Sequence, residues 1–159
     1  MRSATDGWTF CSLGHRHWGL AGAAGLLLHR DGARGAELLL QHRAWWSHHG
    51  DTWGTPGGAL HLGEAPEAGA LRELHEELGL APEDVVLGER SVDDHGGWSY
   101  TTVLATPTRR IDAADLTLDG ESTGVAWWPL AMLDDIELHP GLAGSLDRLR
   151  PLLERRTAT

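Results

Sequence analysis

The segment from Gly58 to Leu80 constrains this chain more than any other. It reads Gly-Ala-Leu-His-Leu-Gly-Glu-Ala-Pro-Glu-Ala-Gly-Ala-Leu-Arg-Glu-Leu-His-Glu-Glu-Leu-Gly-Leu, a glycine-flanked loop running into a helix. Pro66 suits a first helical turn, where its missing N–H costs nothing. Leu71, Leu74 and Leu78 recur at helical spacing and form an apolar stripe that needs covering. Gly79 is placed to end the helix as a C-cap, and Pro82 follows soon after. The spacing predicts a helix over 66–78. On a face away from the leucines, Glu73 stands three and four residues before Glu76 and Glu77, with Arg72 alongside.

Carboxylates crowded in this way repel unless something neutralises them. Solvation alone explains many acidic helix faces, so the three glutamates need a wider pattern before they mean more. Hard oxygen donors at this density suit Mg2+, with Mn2+ as a substitute. Mg2+ keeps several waters and commonly shares its shell with phosphate oxygens, which points towards phosphoryl chemistry.

The wider pattern exists. Gly58, five residues, Glu64, seven residues, Arg72-Glu73-Leu74, one residue, Glu76-Glu77, one residue, Gly79-Leu80 matches the Nudix box at every fixed position. The chain therefore resembles the Nudix hydrolases, strongly over the box and more loosely over residues 20–135. The approach Trp53-Gly54-Thr55-Pro56-Gly57 and the downstream stretch from Glu121 to Trp127 also look like this family. The resemblance implies an α/β fold, an α/β/α sandwich around a mixed sheet, in which the box forms a loop–helix–loop. It implies metal ligation by Glu73, Glu76, Glu77, the carbonyl of Gly58 and Glu121, with Asp119 the nearest rival to Glu121. Arg72 would orient a glutamate by salt bridge, and Glu64 would buttress the box or touch metal-bound water. The implied reaction is attack of water on a phosphorus of a nucleoside di- or triphosphate, or of a nucleoside diphosphate linked to another group. Glu73 and Glu77 are the candidates for taking the proton.

Elsewhere the pattern is mixed α and β. Residues 1–16 read as an irregular N-terminal extension of one domain covering 1–159. Trp18–Leu28 and Glu37–Arg43 read as strands of a hairpin around the turn signal Asp31–Gly35. Val85–Val92, Trp98–Thr106 and Val125–Trp128 read as further strands, and Leu142–Arg156 as a final helix interrupted by Pro151. Arg43, Trp45, Trp46, His48 and His49 occupy or adjoin the loop that leads into the box and are expected on the substrate side. In a strand, Trp45 and Trp46 would point to opposite faces, one free to stack on a base and the other packed inside. Trp98 and Tyr100 are further stacking candidates. The chain has no asparagine, and Gln41 is its only glutamine, which counts against an oxidised purine nucleotide read by side-chain amides; Gln41, backbone groups, or Asp134 or Asp135 are the candidates to read substrate in their place.

Composition narrows the function classes. A net charge of -10 argues against a nucleic-acid polymer as partner, which needs a positive footprint. A small nucleotide or diphosphate held through a cation remains compatible. No apolar run is long enough to span a membrane, and no signal-peptide pattern precedes the domain. The lone Cys11 cannot form an internal disulfide, and a cytoplasmic location is expected. Cys11, His15 and His17 make a weak zinc signal. A homodimer is compatible with this class of enzyme. A non-catalytic nucleotide sensor on the same fold is the alternative. It predicts an eroded box, and this one is intact. An isomerase of prenyl diphosphates would want a cysteine in the cleft, which Cys11 is badly placed to supply.

Overall fold

The computed structural model describes residues 7–10, 16–18 and 20–157. Strands β1 (Trp8–Phe10) and β2 (Arg16–Trp18) form a small antiparallel pair with Trp8 opposite Trp18. The stretch expected to be irregular thus carries a strand, as its Trp-Thr-Phe composition favours. Cys11 and His15, two of the three residues in the weak zinc signal, lie outside the described residues.

The expected strand over 18–28 is split. Gly22 turns the chain at φ +88°, and β3 (Ala23–Gly32) starts after it. Ala33 and Arg34 then connect β3 to β4 (Gly35–Arg43) as a tight hairpin, with Gly32 opposite Gly35. Two short strands follow, β5 (Trp53–Gly54) and β6 (Gly57–Ala59), and then helix α1 (Pro66–Leu78). Strands β7 (Val85–Asp94), β8 (Ser99–Pro107) and β9 (Ser122–Pro129) and helix α2 (Pro140–Thr157) complete the order. Helix α2 runs through Pro151, where an interruption was expected.

Seven strands form one mixed sheet in the order β5-β4-β3-β8-β7, with β6 also on β3 and β9 also on β4. The β3–β8 pairing is parallel and the others are antiparallel. Side chains alternate across the sheet, and the core divides accordingly. Leu26, Leu28 and Leu39 join Leu74 and Leu78 of α1 on one face. Leu27, Leu38 and Leu40 join Leu142, Leu146, Leu149 and Leu153 of α2 on the other. This is the three-layer α/β/α arrangement.

Helix α1 seats its acids because its leucines outweigh them. Burying a leucine contributes roughly 2 kcal/mol, whereas a like-charge pair at helical spacing costs only about 0.2–0.5 kcal/mol. Leu74 and Leu78 are both fully buried. Gly79 ends the helix in the left-handed conformation at φ 76°, its N–H donating to the His75 carbonyl.

Candidate active site

The box folds around Arg72. Its Nε and Nη2 donate to the two oxygens of Glu64 at 3.0 and 2.9 Å, and Nη2 also reaches the Ala59 carbonyl at 3.0 Å. Nη1 donates to Glu73 Oε1 at 2.9 Å and lies 3.5 Å from Glu76 Oε2. The guanidinium thus ties the loop before α1 to Glu73 and Glu76 on the helix. Glu64 also accepts the His61 N–H at 3.0 Å, and Arg72 holds its carboxyl below the usual range.

Gly58 is the point of closest approach between loop and helix. A Cβ at this position would stand 2.5 Å from Glu73 Oε1. Only the absence of a side chain lets the Glu73 carboxylate lie against the backbone whose carbonyl is the candidate ligand. Glu73 is pushed above its ordinary pKa chiefly by burial, against the pull of Arg72. Glu76, 56% exposed, faces solvent at the rim.

Glu77 turns inward. Oε1 accepts the Gln41 amide at 3.0 Å and Oε2 accepts the Gly57 N–H at 2.7 Å. Both donors are neutral, and burial pushes the Glu77 carboxyl up to about 8, with the charges of Glu73 and Asp119 acting in the same direction. A buried acid in this condition is short of positive charge. Arg72 is already engaged with Glu64, Glu73 and Ala59. The local excess of carboxylate oxygen therefore fits a divalent cation, which would favour the ionised forms of Glu73 and Glu77. Among the described residues no three His, Cys, Asp or Glu side chains already converge as a ligand cluster. Glu73 and Glu77 are held by Arg72, Gln41 and Gly57 instead.

Of the downstream candidates, Asp119 acts electrostatically on Glu77, whereas Glu121 is exposed and receives the Ala44 N–H on its backbone carbonyl at 2.8 Å. Tyr100, expected as a stacking ring, lies with its hydroxyl 3.5 Å from Thr55 Oγ1, packed against Gly25 and Gly57. Burial pushes its phenol up to about 12, with Glu77 and Glu73 adding to the effect.

The loop residues form a second grouping. Arg43 Nε donates to the His48 carbonyl at 2.9 Å. The His48 and His49 rings are 3.9 Å apart, and His49 meets the His139 ring at 4.9 Å. His49 and Asp51 sit in the left-handed region at φ 54° and 59°, which His and Asp adopt more readily than most residues with side chains. Trp45 and Trp46 are 71% and 58% exposed and meet edge to face, so neither packs inside as one of them was expected to. Gln41, expected to read substrate, is 1% exposed and bonded to Glu77.

Sequence reasoning missed His139. It precedes Pro140 at the start of α2, and its Nδ1 accepts the Gly141 N–H at 3.0 Å. A polar residue just before a helix-starting proline is a readable cap signal, but its meeting with His49 depends on the fold.

A family model described as NUDIX domain matches residues 19–149. A Mycobacterium tuberculosis protein provisionally named 8-oxo-dGTP diphosphatase 3 is 43% identical over 157 residues, which is 94% of this chain and 71% of that protein. A Bifidobacterium longum nucleoside triphosphate pyrophosphatase/Nudix hydrolase fusion protein is 44% identical over 134 residues. The match spans 82% of this chain but only 27% of the fusion. Among solved structures, a Nudix hydrolase from M. smegmatis, RenU, superposes with a TM-score of 0.83 at 40% identity, covering 92% of this chain and 94% of that one. A C. elegans Ap4A hydrolase complex does so with a TM-score of 0.66 at 25% identity, covering 82% and 97%.

Proposed function

From the premise that this chain belongs to the NUDIX family and is a Nudix hydrolase, we propose that it is a Mg2+-dependent pyrophosphohydrolase acting on a nucleoside triphosphate or a nucleoside diphosphate derivative. The single observation that carries this reading is Glu77, a buried carboxylate held by two neutral donors beside Glu73. It is a hard-oxygen site short of positive charge. The family generally uses divalent ions, and Mg2+ matches the donor set best, with Mn2+ as a substitute.

Glu73, Glu76, Glu77 and the Gly58 carbonyl would hold the ion, with a further carboxylate from Asp119 or Glu121. When bound, it would neutralise phosphate oxygens and lower the pKa of attacking water. Arg72 keeps Glu73 in place, and Glu64 keeps Arg72 in place. Glu73 or Glu77 takes the proton from water as it attacks phosphorus. Arg43, His48 and His49 line the approach and meet the polyphosphate or sugar side of the substrate, while the exposed Trp45 and Trp46 offer flat faces to a base. The diphosphatase name of the M. tuberculosis relative puts 8-oxo-dGTP first among substrates to try. Among the described residues no helix is long and apolar enough to cross a membrane, and the reading places the enzyme in the cytoplasm with its nucleotide pool.

The test is incubation with Mg2+ and oxidised and normal dNTPs, ADP-ribose, dinucleoside polyphosphates and nucleotide sugars in ¹⁸O water, with products read by mass spectrometry. Turnover with label on one product identifies substrate and attacked phosphorus. Binding of these compounds without turnover of any would overturn the hydrolase reading in favour of a nucleotide sensor.

A further inference from the structure

We infer that Gln41 is a positioning residue for the metal-binding carboxylate of Glu77, not a reader of the substrate. The inference rests on the divalent-ion reading of the site above. Gln41 sits in the middle of β4, paired with Gly54 of β5 on one side and Val125 of β9 on the other. Its backbone is thus held from both edges. Its side chain lies on the α1 face of the sheet, two residues beyond Leu39, and is 1% exposed. A nucleobase does not reach a group so enclosed without displacing the core around it.

The amide orientation is set by Glu77. Nε2 donates to Glu77 Oε1 at 3.0 Å. With Glu77 ionised, as it is when it holds a cation, the reversed orientation would put the amide oxygen against a carboxylate oxygen, two acceptors with no proton between them. The observed orientation leaves Gln41 Oε1 buried without a hydrogen-bond partner. An orphaned buried carbonyl is a standing cost, and an apolar side chain of similar size would avoid it. A sequence that keeps glutamine here accepts that cost in return for a donor aimed at Glu77, a pattern expected where function overrides local stability.

Gln41 completes a clamp. Gly57 N–H fixes the second oxygen of Glu77 at 2.7 Å, so the loop before the box and the central strand each hold one oxygen. Without Gln41 the carboxylate keeps one anchor and can rotate about it. The ion would then meet a ligand that has to be ordered on binding.

The test is Gln41→Met, which keeps length and apolar volume and removes the donor. Mn2+ affinity is measured by titration without substrate, and kcat and KM with 8-oxo-dGTP or whichever panel compound is turned over. Expected are Mn2+ binding weaker by at least fivefold, kcat lower by at least tenfold, KM within twofold of wild type, and an unchanged circular dichroism spectrum. In a Glu77→Gln background, Gln41→Met should weaken Mn2+ binding no further, because it acts through that carboxylate. Unchanged Mn2+ affinity and kcat in a folded Gln41→Met protein would overturn the inference. So would a raised KM at unchanged kcat, the signature of a substrate contact. Should Gln41→Met not fold, Gln41→Leu with the same Mn2+ titration decides between the same outcomes. A wild-type protein that neither binds Mn2+ nor hydrolyses any compound would instead defeat the metal reading itself.

Discussion

Arg72 grips Glu64 through a two-point fork, Nε to Oε2 at 3.0 Å and Nη2 to Oε1 at 2.9 Å, while its remaining nitrogen holds Glu73 at 2.9 Å. One planar group thus aligns a loop carboxylate and a helix carboxylate at once. A lysine carries the charge but not the fork. Arg72→Lys should therefore lower kcat by at least tenfold and cost about 2 kcal/mol of stability, the scale of hydrogen bonds to a charged group. Steady-state kinetics and thermal unfolding of the same preparation check both. A variant with wild-type kcat would show that the alignment of Glu73 does not depend on the fork.

Glu77→Gln removes a charge and no volume. It should lower kcat by at least a hundredfold while circular dichroism stays unchanged. Ca2+ should bind the wild-type protein yet support little turnover, since its larger and looser shell suits in-line phosphoryl geometry poorly. Near-normal rates in the variant would remove Glu77 from the catalytic set, and full activity with Ca2+ would contradict the Mg2+ site.

Gly58→Ala places a methyl group 2.5 Å from Glu73 Oε1. The carboxylate must move, and the alignment made by Arg72 moves with it. Activity should fall by more than tenfold with only a modest change in melting temperature, and Mn2+ affinity should fall with it. An alanine variant as active as wild type would mean that Glu73 has room to spare.

His139 should make stability sensitive to mild acid. Burial first, and then the charges of Arg43, His49 and His48, hold its pKa down to about 4 from 6.5. Its unprotonated Nδ1 accepts the Gly141 N–H at the start of α2, an interaction that protonation removes. Between those two pH values the unfolded chain binds more protons at this position than the folded one. Its contribution is therefore complete above about 6.5 and is lost as pH falls towards 4. His139→Asn keeps a capping acceptor and removes the titration. The wild type should lose more melting temperature than His139→Asn across that interval. Parallel curves would dissociate His139 from the acid sensitivity.

The sequence by itself determined the helix and its chemistry. The leucine stripe, Pro66, Gly79 and the spacing from Gly58 to Leu80 are local patterns, governed by helix periodicity and end geometry. A single chain segment is enough to read them. It also located Glu64, Arg72 and the three helix glutamates, and the ion pairs among them follow from their spacing in one loop–helix unit.

What only the tertiary structure decided involves residues far apart in the chain. Gln41 meets Glu77 across 36 positions because β4 and α1 share a sheet face, and its isolation as the only glutamine said nothing of that. His139 meets His49 because the start of α2 folds back beside the loop after β4. The loop holding Trp45 and Trp46 was legible, but that both rings are exposed was not. The physical reason is common to all of these. Periodicity and capping act over a few residues, whereas which side chains share a buried volume depends on strand order and layer, and those are properties of the whole packed chain.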